Sequence, residues 1–397
     1  MDRMLSFAAD ENKPKGFNDV RTCGINLNHW YAVARSTEVQ DEPVGVRLWQ
    51  QNIVLYRAKG EIQALEDRCP HRQVKLSGGR VIGDRLECAY HGWQFNREGR
   101  CVTVPSLTPK QKLPACQIRR YPVQERDGLI WLFPGDAALP AALEPLAIPE
   151  WDHLNYIATV STIECRGHFS YLIENLMDMY HGHLHQDYQA WASAALQELT
   201  TSNQRVDAYY EAQSYYKIDK IWSISQLFFP SLRRLHPEPL TVSYIYPHWV
   251  SSLGQDFKIY CLFCPVDLTT TRAYLIHFTS LNAFWRLHKL PVWFRRWVKN
   301  SLFGSAQRLL DGLVRQDVAM IEQEQQASLA NPQQRNYELN PTIGKVQQLI
   351  RQQSRSATGG VSFGDGKRGK GNLSLRDGER ENCLVQDEQR TQDYGTS

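Results

Sequence analysis

The chain has 397 residues, a hydrophobic content of 42% and a formal net charge of +3, values typical of a globular protein with room for two domains. This charge gives no indication of a nucleic-acid-binding surface, and no run of about eighteen apolar residues predicts a membrane-spanning helix. Nine cysteines, an odd number without the spacing of a disulfide scaffold, indicate thiols that are kept reduced in the cytoplasm.

The first part of the chain is predicted to form an arm followed by a small all-β domain. Residues 1–24 contain breakers such as Pro14 and are expected to be a loose arm. Residues 25–136 consist of short runs of β-branched and aromatic residues separated by turn signals, for example Lys59-Gly60. This alternation predicts several short antiparallel strands with exposed loops between them.

Two Cys–His pairs lie inside this domain. Cys69 is paired with His71 and Cys88 with His91, with sixteen residues between His71 and Cys88. Two thiolates can hold one iron and two imidazoles a second iron, with sulfide joining the two. Zinc is the weaker interpretation, because structural zinc sites favour C-x2-C or H-x3-H pairs over two mixed pairs. The alternative without metal is a chance alignment of core cysteines and surface histidines.

The second part of the chain is predicted to be a mixed domain, residues 137–351, which gives the whole protein an α+β fold class. A linker rich in Ala, Leu and Pro precedes strand-like runs, and most of these lie between residues 205 and 280. Residues 305–329 lack Pro and predict a long helix behind an antiparallel sheet. Residues 352–397 contain few apolar side chains and are expected to be a disordered tail.

A run with helical spacing begins at Ser170 and carries Asp178, His181 and His185 at positions i, i+3 and i+7. On a continuous helix these three side chains lie on one side. Two histidines and one carboxylate on one face of Fe(II) leave its other face open for dioxygen. His183 would point about 200° away from its neighbours, so it replaces His185 only if the helix is distorted. The alternative without metal is a helix end with a chance run of histidines.

Both motifs resemble those of the Rieske non-heme iron oxygenases. The pattern C-x-H-x16-C-x2-H, with Leu76-Ser77-Gly78-Gly79 after the first pair, resembles their [2Fe–2S] signature. No further cysteine lies between the two pairs, which favours the oxygenases over the Rieske electron carriers of respiratory complexes. The segment from Asn175 to His185 resembles their mononuclear-iron motif. The resemblance covers about residues 25–345 and points to the branch that contains vanillate demethylases and pheophorbide a oxygenase.

This resemblance implies a small β Rieske domain with a [2Fe–2S] cluster, followed by a helix-grip catalytic domain with a mononuclear Fe(II). The implied cluster ligands are the two Cys–His pairs, and the implied iron ligands are His181, His185 and a carboxylate on the long C-terminal helix. Asp317 fits that last position best, with Asp311, Glu322 and Glu324 as competitors. Asp178 is implied to bridge a cluster histidine of one subunit and His181 of the next in a head-to-tail homotrimer.

The implied reaction uses dioxygen and two electrons to hydroxylate or oxidatively demethylate a small organic substrate. The substrate is expected to be aromatic or otherwise apolar, with tetrapyrroles among the candidates. No glycine-rich dinucleotide-binding motif is found, so a ferredoxin or a separate reductase is the expected electron donor. Two alternatives remain, namely the alpha subunit of a dioxygenase that cis-dihydroxylates aromatic rings, and a Rieske electron carrier without oxygenase activity.

Residues 284–303 combine six aromatic side chains with five Arg or Lys. This composition is typical of an amphipathic segment at a membrane surface. The alternatives are a cover over the substrate entrance and a contact within the trimer. A peripheral membrane position for this otherwise cytoplasmic protein would favour an apolar substrate taken from the lipid.

Overall fold

The computed structural model describes residues 19–358 apart from 109, 140–142, 186–190, 215–234, 282–288, 333 and 335. Most of the predicted arm, and the predicted tail from residue 359 onward, lie outside the described residues. Residues 352–358 are helical, so the predicted start of the tail is too early. Of the described helices, none has the length and apolar character that crossing a membrane requires.

The described residues of the first domain form ten short strands in three antiparallel sheets. The strands are β1 (Tyr31–Arg35), β2 (Val44–Leu48), β3 (Gln51–Ala58), β4 (Glu61–Glu66), β5 (Arg80–Ile82), β6 (Arg85–Glu87), β7 (Gln94–Phe95), β8 (Cys101–Thr103), β9 (Val123–Arg126) and β10 (Leu129–Leu132). Lys59 and Gly60 join β3 to β4 and both have positive φ, at 54° and 83°, as a tight hairpin requires. The sheets pair in the orders β1-β10-β9, β2-β3-β4 and β5-β6-β7-β8.

In its described residues, the second domain is a seven-stranded antiparallel sheet with three α-helices. Its strands are β11 (Tyr156–Cys165), β12 (Trp191–Thr201), β13 (Arg205–Ser214), β14 (His236–Ile245), β15 (His248–Leu253), β16 (Phe257–Asp267) and β17 (Thr270–Ser280), in the order β11-β17-β16-β15-β14-β13-β12. The helices are α1 (Phe169–Met177), α2 (Val292–Ala330) and α3 (Pro341–Thr358). The predicted α+β fold class is confirmed, and α2 begins thirteen residues before the predicted helix at residue 305.

The long helix α2 packs along β11 and brings its middle turns close to α1. Its side chains Val314 and Ile321 are buried in a hydrophobic core to which strands of both domains contribute, including β1 through Val33. Backbone hydrogen bonds also join the domains, since Trp49 N–H donates to Pro265 O at 2.7 Å. This packing fixes where the loop after α1 meets the face of α2.

Candidate metal centres

The two Cys–His pairs lie on two loops of similar construction, one between β4 and β5 and the other between β6 and β7. Cys69 O accepts a hydrogen bond from Gln73 N–H at 2.8 Å, and Cys88 O accepts one from Gly92 N–H at 3.1 Å. Gln73 and Gly92 both have positive φ, at 63° and 67°, which closes each loop into a tight turn. Each turn therefore directs its cysteine toward the core. Its histidine follows two or three residues later in the chain.

The cysteines and histidines of these loops differ in exposure. Both thiols are buried in the core of the first domain, whereas His71 is half-buried and His91 is exposed. The two imidazole rings lie 4.5 Å apart, measured between centroids, and Trp93 stacks on His71 with an interplanar angle of 3°. The thiols thus form an inner pair and the imidazoles an outer pair at the protein surface.

These four residues fit a [2Fe–2S] cluster. Nδ1 of His71 is buried, and in the described part of the chain it has no hydrogen-bond partner, which is costly unless a metal takes its lone pair. Desolvation and the neighbouring His91 and Arg72 lower the pKa of His71, which favours the neutral ring that ligation requires. Burial raises the pKa of Cys69 to about 11, so a thiolate there needs a bound cation.

The predicted continuous helix through the second motif is wrong. Helix α1 ends at Met177, and the N–H of Asp178 bonds to the carbonyls of Glu174 and Asn175 as a C-cap. A short 3-10 helix, Gly182–Leu184, follows, with His181 before it and His185 after it. The side chain of His183, the second choice in the sequence analysis, lies outside the described residues.

The structure nevertheless brings His181, His185 and Asp317 together. One ligand atom from each lies within 4.8 Å of the other two, in a half-buried site between the loop after α1 and the middle of α2. Asp317 Oδ1 is 3.7 Å from His181 Nε2 and 3.3 Å from His185 Nε2. Ligands bonded at about 2.1 Å on adjacent positions of one metal ion are about 3 to 3.5 Å apart, so the donors nearly match.

Hydrogen-bond partners fix which nitrogen each histidine presents. Nδ1 of His185 faces Gln316 Oε1 at 3.2 Å, and this amide oxygen only accepts, so Nδ1 carries the proton. Nδ1 of His181 similarly faces Asp178 Oδ2 at 3.9 Å. Both rings therefore turn Nε2 toward Asp317, and an acceptor behind Nδ1 is the arrangement found behind metal-bound histidines.

The electrostatics of this site favour a cation. Burial opposes a charged imidazole at His181, yet Asp178 and Asp317 raise its pKa to about 9. Burial also opposes ionisation of Asp178, but hydrogen bonds from His181 and Asn340 hold the pKa of that carboxyl below its usual value. Two histidines and a carboxylate in a negative potential are the donor set expected for a ferrous ion.

The competitors of Asp317 have other partners. Glu322 Oε1 accepts a hydrogen bond from Arg166 N–H at 2.9 Å, and Glu324 lies 4.0 Å from Arg21. Asp311 is hydrogen-bonded to Ser161 on β11. Sequence reasoning missed two residues of the second centre, Gln316 and Asn340, because their roles depend on partners brought in by the tertiary fold.

The tight contact at Gly79 supports a prediction for the cluster loops. A Cβ at Gly79 would lie 1.9 Å from Glu87 O, in the pairing of β5 with β6, whereas at Gly78 the nearest atom would be 3.9 Å away. Gly79→Ala is expected to lower the free energy of unfolding by about 1–3 kcal/mol and to lower the cluster content. Gly78→Ala is expected to keep the stability and the cluster content of the wild type. Iron and sulfide analysis with urea unfolding measures this. Equal cluster content in the two variants would show that this contact does not position the loops.

Known proteins resemble this chain over one or both domains. Residues 29–122 match the family described as Rieske [2Fe-2S] domain. The 4beta-methylsterol monooxygenase of Methylococcus capsulatus is 34% identical over 349 residues, 83% of this chain and 89% of that protein. The dicamba O-demethylase oxygenase component of Stenotrophomonas maltophilia is 36% identical over 159 residues, 39% of this chain and 45% of that protein. Dicamba monooxygenase bound to 3,6-dichlorosalicylic acid has the same fold, with a TM-score of 0.68 and 20% identity over 84% of this chain and 99% of that one.

The chain therefore belongs to the Rieske non-heme iron oxygenases. It is an oxidoreductase that carries a [2Fe–2S] cluster and a mononuclear iron, uses dioxygen on a small organic substrate and takes electrons from a ferredoxin or reductase. The predictions of the family, the oxygenase function and both cofactors are confirmed.

Proposed function

We propose that this chain is a monooxygenase that hydroxylates a methyl group on a sterol-like polycyclic lipid. The observation that carries the proposal is the relative from Methylococcus capsulatus, because the similarity to this 4beta-methylsterol monooxygenase extends through both domains. The similarity to the dicamba demethylase covers 39% of this chain, so it bears less on the substrate. Hydroxylation would convert the methyl group, dioxygen, two electrons and two protons into a hydroxymethyl group and water.

In this proposal, each of the two metal centres is held by its own set of residues. Cys69, His71, Cys88 and His91 hold the cluster, and His181, His185 and Asp317 hold the iron. When bound, the cluster supplies single electrons and the ferrous ion supplies the site where dioxygen reacts. Asp178 lies 3.9 Å from Nδ1 of His181 and orients that ring so that its Nε2 faces Asp317, where the metal would be held.

A head-to-tail homotrimer completes the proposed electron path. The cluster histidine His91 is exposed beside Tyr90, which is 61% exposed, and the Asp178 side chain is 35% exposed beside the exposed Tyr180 and Leu184. Each metal centre thus has a surface with large apolar side chains, and the two surfaces differ. Contact between unlike surfaces repeats from subunit to subunit and can close into a ring of three.

A mass-spectrometric assay tests the substrate class. The purified protein, loaded with iron and supplied with a ferredoxin, its reductase and NADH, is incubated with a 4-methylsterol under oxygen-18 gas. We expect a product that carries one heavy oxygen atom. O-methylated aromatic acids such as vanillate are the comparison, and demethylation of these with no change in the sterol would contradict the proposal.

Contact with a membrane surface would give the enzyme access to such a lipid. Near the start of α2, Trp293 is 71% exposed and Trp297 is 60% exposed, with the exposed Lys289 just before the helix. These residues belong to the predicted segment 284–303, part of which lies outside the described residues. Aromatic rings that enter the headgroup region while a basic side chain faces lipid phosphates are typical of peripheral binding.

Replacement of the two exposed tryptophans tests this contact. Trp293→Ala together with Trp297→Ala is expected to lower binding to vesicles of phosphatidylglycerol and phosphatidylcholine at least about tenfold, because each buried ring contributes apolar area. Vesicle flotation measures it. The same pair of substitutions at Tyr337 and Leu339, which are also exposed, is the control. Equal flotation of both double variants and the wild type would exclude binding through these tryptophans.

A further inference from the structure

Asn340, a residue outside the metal ligands, holds Asp178 in place. It is 3% exposed and immediately precedes Pro341, the first residue of α3. Its Oδ1 accepts a hydrogen bond from Thr342 N–H at 3.0 Å, and its Nδ2 donates one to Asp178 Oδ1 at 2.9 Å. One end of the Asn340 amide therefore caps α3, and the other end binds the carboxylate behind His181.

The orientation of this amide follows from the chemistry of its neighbours. The N–H of Thr342 can only donate, so the amide atom that faces it is the oxygen and the NH2 group faces Asp178. The backbone N–H of Asn340 is itself bonded to Glu338 Oε1 at 2.7 Å. A buried amide with partners on both atoms and a bonded backbone has one orientation.

This amide also determines how the Asp178 carboxylate is turned. Asp178 Oδ1 accepts hydrogen bonds from Asn340 Nδ2 and from Tyr180 N–H, the latter at 3.1 Å. With Oδ1 taken by these two donors, Oδ2 faces Nδ1 of His181. Without the Asn340 donor only Tyr180 N–H holds Oδ1, so the carboxylate can rotate about its last bond and turn Oδ2 away from Nδ1 of His181.

We propose that Asn340 is a positioning residue for electron transfer, holding Asp178 between His181 and the surface that meets the cluster of a second copy of this chain. The proposal rests on the bridging role proposed for Asp178. It makes the start of α3 part of the electron path, although the side-chain amide of Asn340 is bonded to Asp178 and Thr342 rather than to a proposed metal ligand. The effect on rate comes from geometry, because a carboxylate that turns away from His181 Nδ1 no longer fills the space between that ring and the neighbouring subunit.

Two substitutions separate positioning from helix capping. Asn340→Ser and Asn340→Thr both keep an oxygen that can accept from Thr342 N–H, and both lose the NH2 group that donates to Asp178. We expect both variants to keep the wild-type unfolding midpoint, iron content and cluster spectrum. We expect electron transfer from cluster to iron to slow at least about tenfold in each.

The transfer is measured without substrate or dioxygen. Ferricyanide first oxidises the mononuclear iron of the intact oligomer to the ferric state and is removed. A flash-excited flavin, with EDTA as its electron donor, then reduces the cluster, and the decay of the reduced cluster is followed under argon. The result does not depend on whether a sterol is the substrate, so failure of the sterol assay and failure of this proposal are distinguishable. Asp178→Asn gives the rate expected when the bridge itself is impaired.

The alternative is that Asn340 serves only as the N-cap of α3. If Asn340 only caps α3, the Ser and Thr variants transfer electrons at the wild-type rate, and only Asn340→Ala, which has no capping oxygen, loses stability. That result would overturn the positioning role. Wild-type transfer in Asp178→Asn would overturn it as well, because there would then be no bridge for Asn340 to hold.

Discussion

Asp317→Ala is expected to leave the [2Fe–2S] cluster intact and to abolish product formation. The carboxylate lies within 3.7 Å of the Nε2 atoms of both His181 and His185, and as the proposed third ligand it would supply the negative charge that retains a divalent cation there. Since loss of an outer-shell partner alone weakens metal binding about 10- to 100-fold, loss of a direct ligand should cost more. Iron analysis should find the two irons of the cluster per chain and no third, with turnover reduced more than about 100-fold.

Glu322→Gln is the matched control for Asp317→Ala. Glu322 lies five residues further along α2 and accepts a hydrogen bond from Arg166 N–H, which the Gln amide oxygen can also accept. We expect this variant to retain both metal centres and full turnover. Loss of the third iron in Glu322→Gln, with its retention in Asp317→Ala, would show that Glu322 and not Asp317 is the iron ligand.

The histidines of this site allow the same comparison. His185 contacts Asp317 and is oriented by Gln316, so His185→Ala is the substitution expected to release iron, and His183→Ala is its control. Gln316→Ala is expected to weaken iron binding about 10-fold, because His185 then loses the acceptor that fixes its tautomer. Release of iron from the His183 variant alone would show that the ligand was assigned to the wrong histidine.

The cluster motif could be predicted from the sequence because its geometry is local. Each Cys–His pair sits within one tight turn, so the spacing of two or three residues is itself the structural constraint. The iron site was predicted from a helical period that the chain does not follow. Asp178 ends α1, and a turn with a short 3-10 helix brings His181 and His185 next to Asp317.

Some features of the fold and of the site depend on tertiary contacts, which local sequence patterns do not predict. Residues 191–201 are rich in Ala, Leu, Glu and Gln, which favour helices, yet they form β12 because the neighbouring β13 supplies backbone partners along its length. Asn340 followed by Pro341 is a sequence signal for the start of a helix. That signal does not predict the hydrogen bond from the side-chain amide to Asp178, which is 162 residues away in the chain.

Activity in mixed oligomers of two inactive variants is the second large effect expected. Cys88→Ser should lack the cluster but keep the iron site, and Asp317→Ala should lack the iron but keep the cluster. If electrons cross from the cluster of one subunit to the iron of the next, a junction works whenever an Asp317→Ala subunit donates to a Cys88→Ser subunit. With equal amounts and random mixing, about a quarter of the junctions in a closed ring meet this condition.

Co-expression of the two variants with different affinity tags gives mixed oligomers by two-step purification, and turnover per chain is compared with the wild type. We expect each variant alone to be inactive and the mixed oligomers to recover roughly a quarter of wild-type turnover, somewhat more after the two-tag selection. Transfer within one chain gives no recovery at any ratio, because no chain then holds both centres. The exposed position of His91 and the part-exposed position of Asp178 favour the first result, since each lies at a surface that another subunit can reach.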